Sequence, residues 1–408
     1  IHDSGSASAS ALEDTKDKRF AAAFTSVAAT DGTYGIGDAL TITVTWDSAV
    51  SVTGVPTLTL SNSDTATYFS GTGSATLSFI TTVADGDSDS SDLSVSSYGG
   101  TITADNDGSN AGAVSGDLGS VVIDGDTPDI TAVAATDGTY KIGDTISITL
   151  TFDEAVDVTG TPQITLPNAD VVDYSSGTGS ANIVFVYTVG SGDTDSSDLA
   201  VSSIAANGGT IQDDADNDFA TAIPSAGDLG AVIVDANAPA FASVAANNGD
   251  YGVGDTLTIT VTWGEAVVVT GTPTLTLSNS DTASYTSGTG TTALVFTTTV
   301  AEGDTASADL SVSSFGGTIA DSAGNAAAAA SGDLGSVTVD GDAPDFVSVA
   351  ATNGDYGVGE AFDITVTWDE AVVVTGTPTI TLNNGATVSY TSGTGNAALV
   401  FAYTPAEG

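Results

Sequence analysis

Apolar and polar residues alternate along several short stretches of the chain. From Leu40 to Trp46 every second residue is apolar and the residues between them are threonines, and the pattern returns at 257–263 and 362–368. A period of two residues predicts β-strands with one face in a core and the other in solvent. Clusters of Gly, Asn, Asp and Ser separate these stretches, and no stretch has a convincing helical period, so the pattern predicts an all-β chain.

The chain contains four copies of one text, of which "DGTYGIGDALTITVTW" is the first. Each period is about 105–111 residues, measured between the equivalent tyrosines Tyr34, Tyr140, Tyr251 and Tyr356. That is the size of a domain and too long for a solenoid repeat or a propeller blade. In the first copy, further strands are predicted at Thr57–Leu60, Ala75–Val83, Asp92–Tyr98 and Gly119–Asp124. About seven short strands per period predict tandem antiparallel Ig-like β-sandwiches, arranged as beads on a rod.

Linkers that contain Asp and Pro mark the predicted domain boundaries. The Ig-like repeats are expected at 24–128, 129–239 and 240–344, and an incomplete fourth repeat, which lacks its last two strands, at 345–408. Residues 1–23 are the tail of a preceding or diverged repeat, since Leu12–Phe24 aligns with Leu334–Phe346 without a gap. The predicted core aromatics of the four repeats are Trp46, Phe152, Trp263 and Trp368.

Composition excludes several functions. The 408 residues include 52 acidic and 4 basic side chains, giving a formal net charge of −48, so a polyanionic nucleic acid would be repelled and anionic lipid is disfavoured. The chain has no cysteine, so disulfides, thiolate zinc sites and cysteine nucleophiles are excluded. The single histidine, His2, leaves no material for Ser-His-Asp catalysis, and no enzyme is expected.

The acidic residues recur in equivalent loops, and the predicted topology brings them together at the junctions between repeats. Because the strands of a sandwich alternate in direction, its loops lie at two opposite poles. The loops at the pole where one repeat ends therefore face the loops at the pole where the next repeat begins. The late loop of repeat 2, 213–217, is expected at the first junction too. The predicted ligands are Asp85, Asp87, Asp124, Asp126, Asp153 and Glu154 at the first junction, Asp193, Asp195, Asp235, Asn237 and Glu265 at the second, and Glu302, Asp304, Asp340, Asp342, Asp369 and Glu370 at the third.

Packed carboxylates repel one another unless a cation joins them. Flexible carboxylate and carbonyl loops suit Ca²⁺, which takes six to eight oxygen ligands. The pattern therefore predicts several structural Ca²⁺ ions that stiffen the junctions. The alternative is that the acids form solvated loops that favour solubility.

Repeat 3, with "GDTLTITVTWGEAVVVTGTPTLTL" and "GGTIADSAGN", resembles the Ig-like and cadherin-like tandem repeats of large bacterial extracellular surface proteins, many of them adhesins. The resemblance extends over Phe24–Gly408. It implies secretion, a stalk-like arrangement and Ca²⁺ between the domains. The N-terminal segment departs from the pattern, because it carries Lys16, Lys18 and Arg19 where the other repeats have an apolar strand.

Two functions fit these observations. In the preferred hypothesis the chain is a subunit of a surface fibre or filament, in which the N-terminal segment of one copy completes repeat 4 of the next by strand addition. Lys16, Lys18 and Arg19 would then dock on acidic loops of the neighbouring copy. In the alternative the chain is a passive stalk of a giant adhesin, and other modules bind cell-surface or matrix glycans in attachment or biofilm formation. Both hypotheses place the protein outside the cell, and neither needs catalysis.

Overall fold

The computed structural model describes residues 21–167 and 170–407, and it confirms the all-β fold class. Nearly all regular structure in these residues is β-strand, apart from a turn of 3₁₀ helix at Pro224–Gly227. The buried apolar side chains form four separate clusters, one in each repeat. Contacts divide the chain into two compact units, Ile1–Asn237 with repeats 1 and 2, and Ala238–Gly408 with repeats 3 and 4.

Repeat 1 is a sandwich built around one long strand. Its strands are β1 (Phe24–Ala28), β2 (Gly32–Tyr34), β3 (Ala39–Leu60), β4 (Thr65–Ser70), β5 (Ser74–Thr82), β6 (Ser94–Ala104), β7 (Gly116–Asp117) and β8 (Val121–Ile123). The first part of β3 pairs with β1 and β5, and its second part pairs with β4 and β6. The β3 strand therefore contributes to both layers and holds them together.

The sequence pattern predicted two separate strands where the structure has the single strand β3. The register of its pairing shifts between Thr45 and Val50 and again between Thr53 and Thr57, and Gly54 has a φ of 79°. Such bulges bend a strand without ending it. A bulge interrupts the alternation of apolar and polar residues, so one bulged strand looks like two separate strands in the sequence.

The short strand β2 was not predicted, and it places Asp31 and Asp38 beyond its opposite ends. It pairs in parallel with β8, which brings Gly32 opposite Val121 and Tyr34 opposite Ile123. Asp31, at the start of β2, accepts a hydrogen bond from the Ser120 backbone N–H at 2.9 Å. The turn at 35–38 follows the other end of β2. The end of β8 lies beside the end of β2, and the chain enters the linker to repeat 2 there.

Repeat 2 keeps this plan with shorter strands. They are β9 (Ile130–Ala134), β10 (Gly138–Lys141), β11 (Thr145–Thr159), β12 (Gln163–Thr165), β13 (Val171–Ser176), β14 (Ser180–Thr188), β15 (Ser203–Ala205), β16 (Thr210–Gln212) and β17 (Val232–Asp235). Here β11 and β12 replace the single long strand, and β10 pairs in parallel with β17. The strand β16 pairs with the end of β11 and leads into the loop 213–217.

Repeat 3 repeats the topology of repeat 1, and repeat 4 contains fewer strands. Those of repeat 3 are β18 (Phe241–Ala246), β19 (Gly249–Tyr251), β20 (Thr256–Leu277), β21 (Thr282–Ser287), β22 (Thr291–Thr299), β23 (Ser311–Ala320), β24 (Gly332–Asp333) and β25 (Val337–Val339). Those of repeat 4 are β26 (Phe346–Ala351), β27 (Phe362–Val372), β28 (Thr379–Thr381), β29 (Thr387–Ser392) and β30 (Asn396–Tyr403).

Three of the four predicted core aromatics are buried. Trp46, Phe152 and Trp263 are at most 2% exposed, and the indole N–H of Trp263 donates to the Ala328 carbonyl at 3.1 Å. Trp368 is half-buried, and its buried Nε1 has no hydrogen-bond partner among the described residues. The carbonyl that serves Trp263 comes from the late segment of repeat 3, and residues 345–408 contain no counterpart of that segment.

Removing a ring from one core tests whether the repeats are stabilised separately. We expect Phe296→Ala, at a fully buried site, to lower the free energy of unfolding of repeat 3 by about 3–5 kcal/mol because it leaves a cavity. Urea unfolding followed through Trp263 fluorescence measures this loss of stability. In the chain used, the other tryptophans are replaced by Phe, because repeat 2 already carries Phe152 at the equivalent position. The control is Val268→Ala at a 43% exposed site, and equal losses in the two variants would contradict the assignment.

Candidate cation site at the first junction

Three carboxylates from three separate segments meet where repeat 1 joins repeat 2. Asp124 directly follows β8 in the linker, Glu154 lies in β11, and Asp213 directly follows β16. One carboxylate oxygen from each residue lies within 4.8 Å of the other two. Like charges this close disfavour their ionised forms unless a proton or a cation neutralises them.

Local structure places each of the three side chains. The Asp124 N–H donates to the Tyr34 carbonyl at 3.1 Å, which ties the start of the linker to the end of β2. The pairing of β11 with β14 shifts register between Thr151 and Val156, so Glu154 lies at a bulge. The loop after β16 curls back on itself, because its Asp213 N–H donates to the Asn217 carbonyl at 3.2 Å.

Asp213 is the most deeply buried member, and half of its carboxylate is unsatisfied. The side chain is 3% exposed, and Oδ1 accepts the backbone N–H groups of Ala215 at 2.7 Å and Asn217 at 2.9 Å. Oδ2 is also buried and accepts no hydrogen bond from the described residues. A buried charged oxygen without a partner is costly, and an ion or ordered water at that position would relieve the cost.

The equivalent carboxylate of repeat 3 is satisfied at both oxygens. Asp321 is 4% exposed, its Oδ1 accepts the N–H groups of Gly324 and Asn325, and its Oδ2 accepts the Asn325 amide at 2.9 Å. In repeat 2 the amide of Asn217 instead donates to linker carbonyls. The amide is thus engaged elsewhere, and Asp213 Oδ2 remains available at the junction.

The acidic surroundings shift two of the pKa values upward. Burial, together with the charges of Asp213, Asp124, Asp153 and Asp89, raises the pKa of Glu154 to about 7. Burial, and after it the charges of Asp213, Asp89 and Asp126, also raises the pKa of Asp124. Near neutral pH Glu154 is therefore partly protonated, and a divalent cation would displace that proton.

The structure brings together two of the six ligands predicted for this junction, Asp124 and Glu154. The third carboxylate, Asp213, lies in the loop that the sequence placed here, but it was not among the predicted ligands. The available signal was the five-residue pattern Asp-x-Ala-x-Asn, which occurs at 213–217 and again at 321–325. An Asp and an Asn that recur at this spacing indicate a specific loop rather than a solvated acidic run.

Several other predicted ligands accept hydrogen bonds within their own turns. Asp87 accepts the Ala84 N–H at 2.7 Å, and Asp304 accepts the Ala301 N–H at 2.7 Å. Asp193 accepts both the Gly190 N–H at 2.6 Å and the Tyr187 hydroxyl at 2.7 Å. These three occupy the same position in repeats 1, 2 and 3, where they close a turn.

A second set of predicted ligands holds the segments that join the repeats. Asp153 accepts the N–H of Asp129, and Asp369 accepts that of Asp345, each at 2.8 Å. Asp195 accepts the Ala236 N–H and the Asn237 side-chain amide, and Glu302 accepts the Ala343 N–H. Four of these residues are exposed, namely Asp153, Asp195, Glu302 and Asp369, as are the predicted ligands Asp85, Asp126, Asn237, Asp340 and Asp342, and the half-buried ones include Asp235 and Glu265.

In the second unit, negative charge also accumulates where repeat 3 joins repeat 4. Partial burial, and after it the charges of Asp340, Asp369, Asp342 and Glu302, raise the pKa of Glu370. These five residues are all predicted ligands of the third junction. Of the remaining predictions, Lys16, Lys18 and Arg19 lie outside the described residues.

Comparisons with known proteins add little to this description. No protein-family model and no curated protein sequence matches the chain. It is similar to the I9–I11 tandem of titin, with 11% identity and a TM-score of 0.28, over 78% of this chain and 99% of that one. It is also similar to the Ig1–Ig3 ectodomain of mouse nectin-like molecule 4, with 10% identity and a TM-score of 0.25, over 77% and 99%. Likenesses this weak carry no functional inference.

In the part of the chain that the structure describes, no helix has the length and apolar character that crossing a membrane requires.

The raised pKa of Glu154 predicts a pH-dependent stability in metal-free protein. The folded state keeps a proton on Glu154 that the unfolded chain releases near its ordinary pKa of 4.5, so the free energy of unfolding should fall as pH rises to about 7 and then level off. One proton limits the slope to about 1.4 kcal/mol per pH unit, and solvent screening of this half-buried group reduces it.

Glu154→Gln should flatten that slope, and Asp198→Asn, which removes an exposed carboxylate from the same repeat, should leave it unchanged. Urea unfolding in EGTA from pH 5 to 8 measures the difference. A Phe152→Trp reporter supplies the fluorescence, since repeats 1, 3 and 4 carry Trp at this position. An undiminished slope in Glu154→Gln would show that other carboxyls cause it.

Proposed function

We propose that the chain is a non-catalytic spacer of an extracellular fibre or stalk, in which Ca²⁺ at the first junction holds repeats 1 and 2 together. The repeat array itself supports a structural or adhesion-type role, because each repeat is a small β-sandwich with its own apolar core. The observation that carries the calcium proposal is the buried, unpartnered Oδ2 of Asp213 beside Asp124 and Glu154.

The donor set suits Ca²⁺ better than the other common divalent ions. All three side chains are carboxylates, and no cysteine is present in the chain, so soft or borderline metals have no preferred ligand here. Ca²⁺ accepts mono- or bidentate carboxylates in irregular geometry and completes its shell with water, whereas Mg²⁺ demands near-ideal octahedral geometry. Asp124, Glu154 and Asp213 would hold the ion, and it would neutralise charges that now raise two pKa values.

The location of the protein follows from the same chemistry. Extracellular calcium modules bind with dissociation constants of about 10⁻⁴–10⁻³ M, which are matched to external rather than cytosolic calcium. A site of three carboxylates in which Glu154 must first lose a proton belongs in that weak class. Binding there would stabilise only the folded, assembled junction, so calcium would act as a mechanical clamp.

Calcium titration of mutant chains tests the proposal. Asp213→Asn keeps the size of the side chain but removes its charge, and we expect it to abolish one equivalent of Ca²⁺ binding in isothermal titration calorimetry of the full chain. The matched control is Asp198→Asn, which makes the same charge change at an exposed position of the same repeat. If both variants bind as many ions as the wild type, the three carboxylates are not a calcium site.

A further inference from the structure

The loop 213–217 contacts repeat 1 through a single buried amide. Asn217 is 4% exposed, and its Oδ1 accepts the Ile36 N–H at 2.5 Å. Its Nδ2 donates to the carbonyls of Asp124 at 3.2 Å and Asp126 at 2.9 Å. An asparagine amide offers two donor hydrogens and one acceptor oxygen, so three backbone groups of the turn and linker use both ends of this side chain.

A glycine on the facing loop allows this close approach. A Cβ atom at Gly35 would lie 2.2 Å from the Ala215 carbonyl oxygen and 2.6 Å from Asn217 Oδ1. Separations below 3.0 Å are not found for real Cβ atoms, so any side chain at Gly35 would push the two repeats apart. The requirement is for space, because Gly35 does not have a positive φ.

The turn itself does not require a glycine at this position. The equivalent residue of repeat 2 is Lys141, and that of repeat 3 is Gly252, where an added Cβ meets nothing within 4 Å. A side chain at this position is therefore compatible with the repeat fold. What excludes it at Gly35 is the neighbouring loop of repeat 2.

The Asp and Asn of the loop are also dispensable for folding of a repeat. In repeat 1 the corresponding loop, 104–109, is one residue longer, and the Ala104 N–H donates to the Ser109 carbonyl with Ala and Ser in place of the two end residues Asp213 and Asn217. The loop there is closed by Asp107, which accepts the N–H and the hydroxyl of Ser109. The buried Asn of repeat 2 thus serves its contact with the preceding repeat.

We propose that the loop Asp213–Asn217 is a docking surface for the turn and linker of a preceding repeat, and that this docking sets the junction before any ion binds. The partner that it fits is a turn with glycine at the position of Gly35, a free N–H on the next residue, and a linker that presents two carbonyls. The loop recognises backbone groups of its partner. The absence of a Cβ atom at the position of Gly35 therefore selects which turn can dock. This inference goes beyond the calcium proposal, because none of these contacts involves a cation.

Distance measurements between repeats 1 and 2 test the docking in the full chain. Since the chain has no cysteine, Val55→Cys and Val186→Cys place one spin label on each repeat, at positions 67% and 41% exposed. In EGTA, electron–electron double resonance should give a single narrow distance peak. Gly35→Ala should abolish that peak, and Gly252→Ala, the same change at the same turn position, should leave it intact.

Asn217→Ser provides a second variant, since repeat 1 already carries Ser109 at this position. It should also abolish the narrow peak while the circular dichroism and the unfolding midpoint of repeat 2 stay close to those of the wild type. If Gly35→Ala and Asn217→Ser both keep the narrow peak, the docking surface is wrong.

Calcium separates this inference from the previous one. If the wild type shows the narrow peak only after CaCl₂ is added, docking before ion binding is overturned, and the calcium proposal stands. If the peak is narrow in EGTA while Asp213→Asn still binds as many ions as the wild type, the docking stands and the calcium proposal fails.

Discussion

The shortage of positive side chains is the constraint on which this structure depends. With 52 acidic residues and 4 basic ones, most carboxylates have no ion pair available within the chain. A carboxylate that leaves bulk solvent must then be satisfied by backbone N–H groups, by amide side chains, by a proton or by an external cation. The acids of the described residues differ in role according to which of these partners they have.

Most acids near the repeat poles are satisfied by the backbone. Asp87, Asp193 and Asp304 close equivalent turns, and Asp153 and Asp369 hold the start of the first strand of their repeats. These contacts are local and structural, and they explain why acids recur at the same positions in several copies. Recurrence alone therefore does not distinguish a ligand from a turn residue.

Asp213 differs because its backbone partners satisfy one oxygen and the neighbouring amide is drawn away. Asn217 donates to the linker, one oxygen of Asp213 accepts no hydrogen bond from the described residues, and its carboxylate belongs to the group in which oxygens of Asp124, Glu154 and Asp213 lie within 4.8 Å of one another. The polar contacts that position repeat 1 on repeat 2 are thus the same ones that leave a carboxylate oxygen without a partner. Docking and charge accumulation are two consequences of one arrangement of side chains.

The sequence by itself determined the all-β class, the four-fold repetition, three of the four predicted core aromatics and the nearness of Asp124 to Glu154 at the first junction, because alternation and repeat length are local properties of the text. It did not reveal that one bulged strand passes through both layers, or that a short parallel strand separates Asp31 from the turn at 35–38. Those features depend on partners far along the chain. Only the tertiary structure decided which carboxylate lost its partner, since that depends on where the Asn217 amide points when the Gly35 turn lies against it.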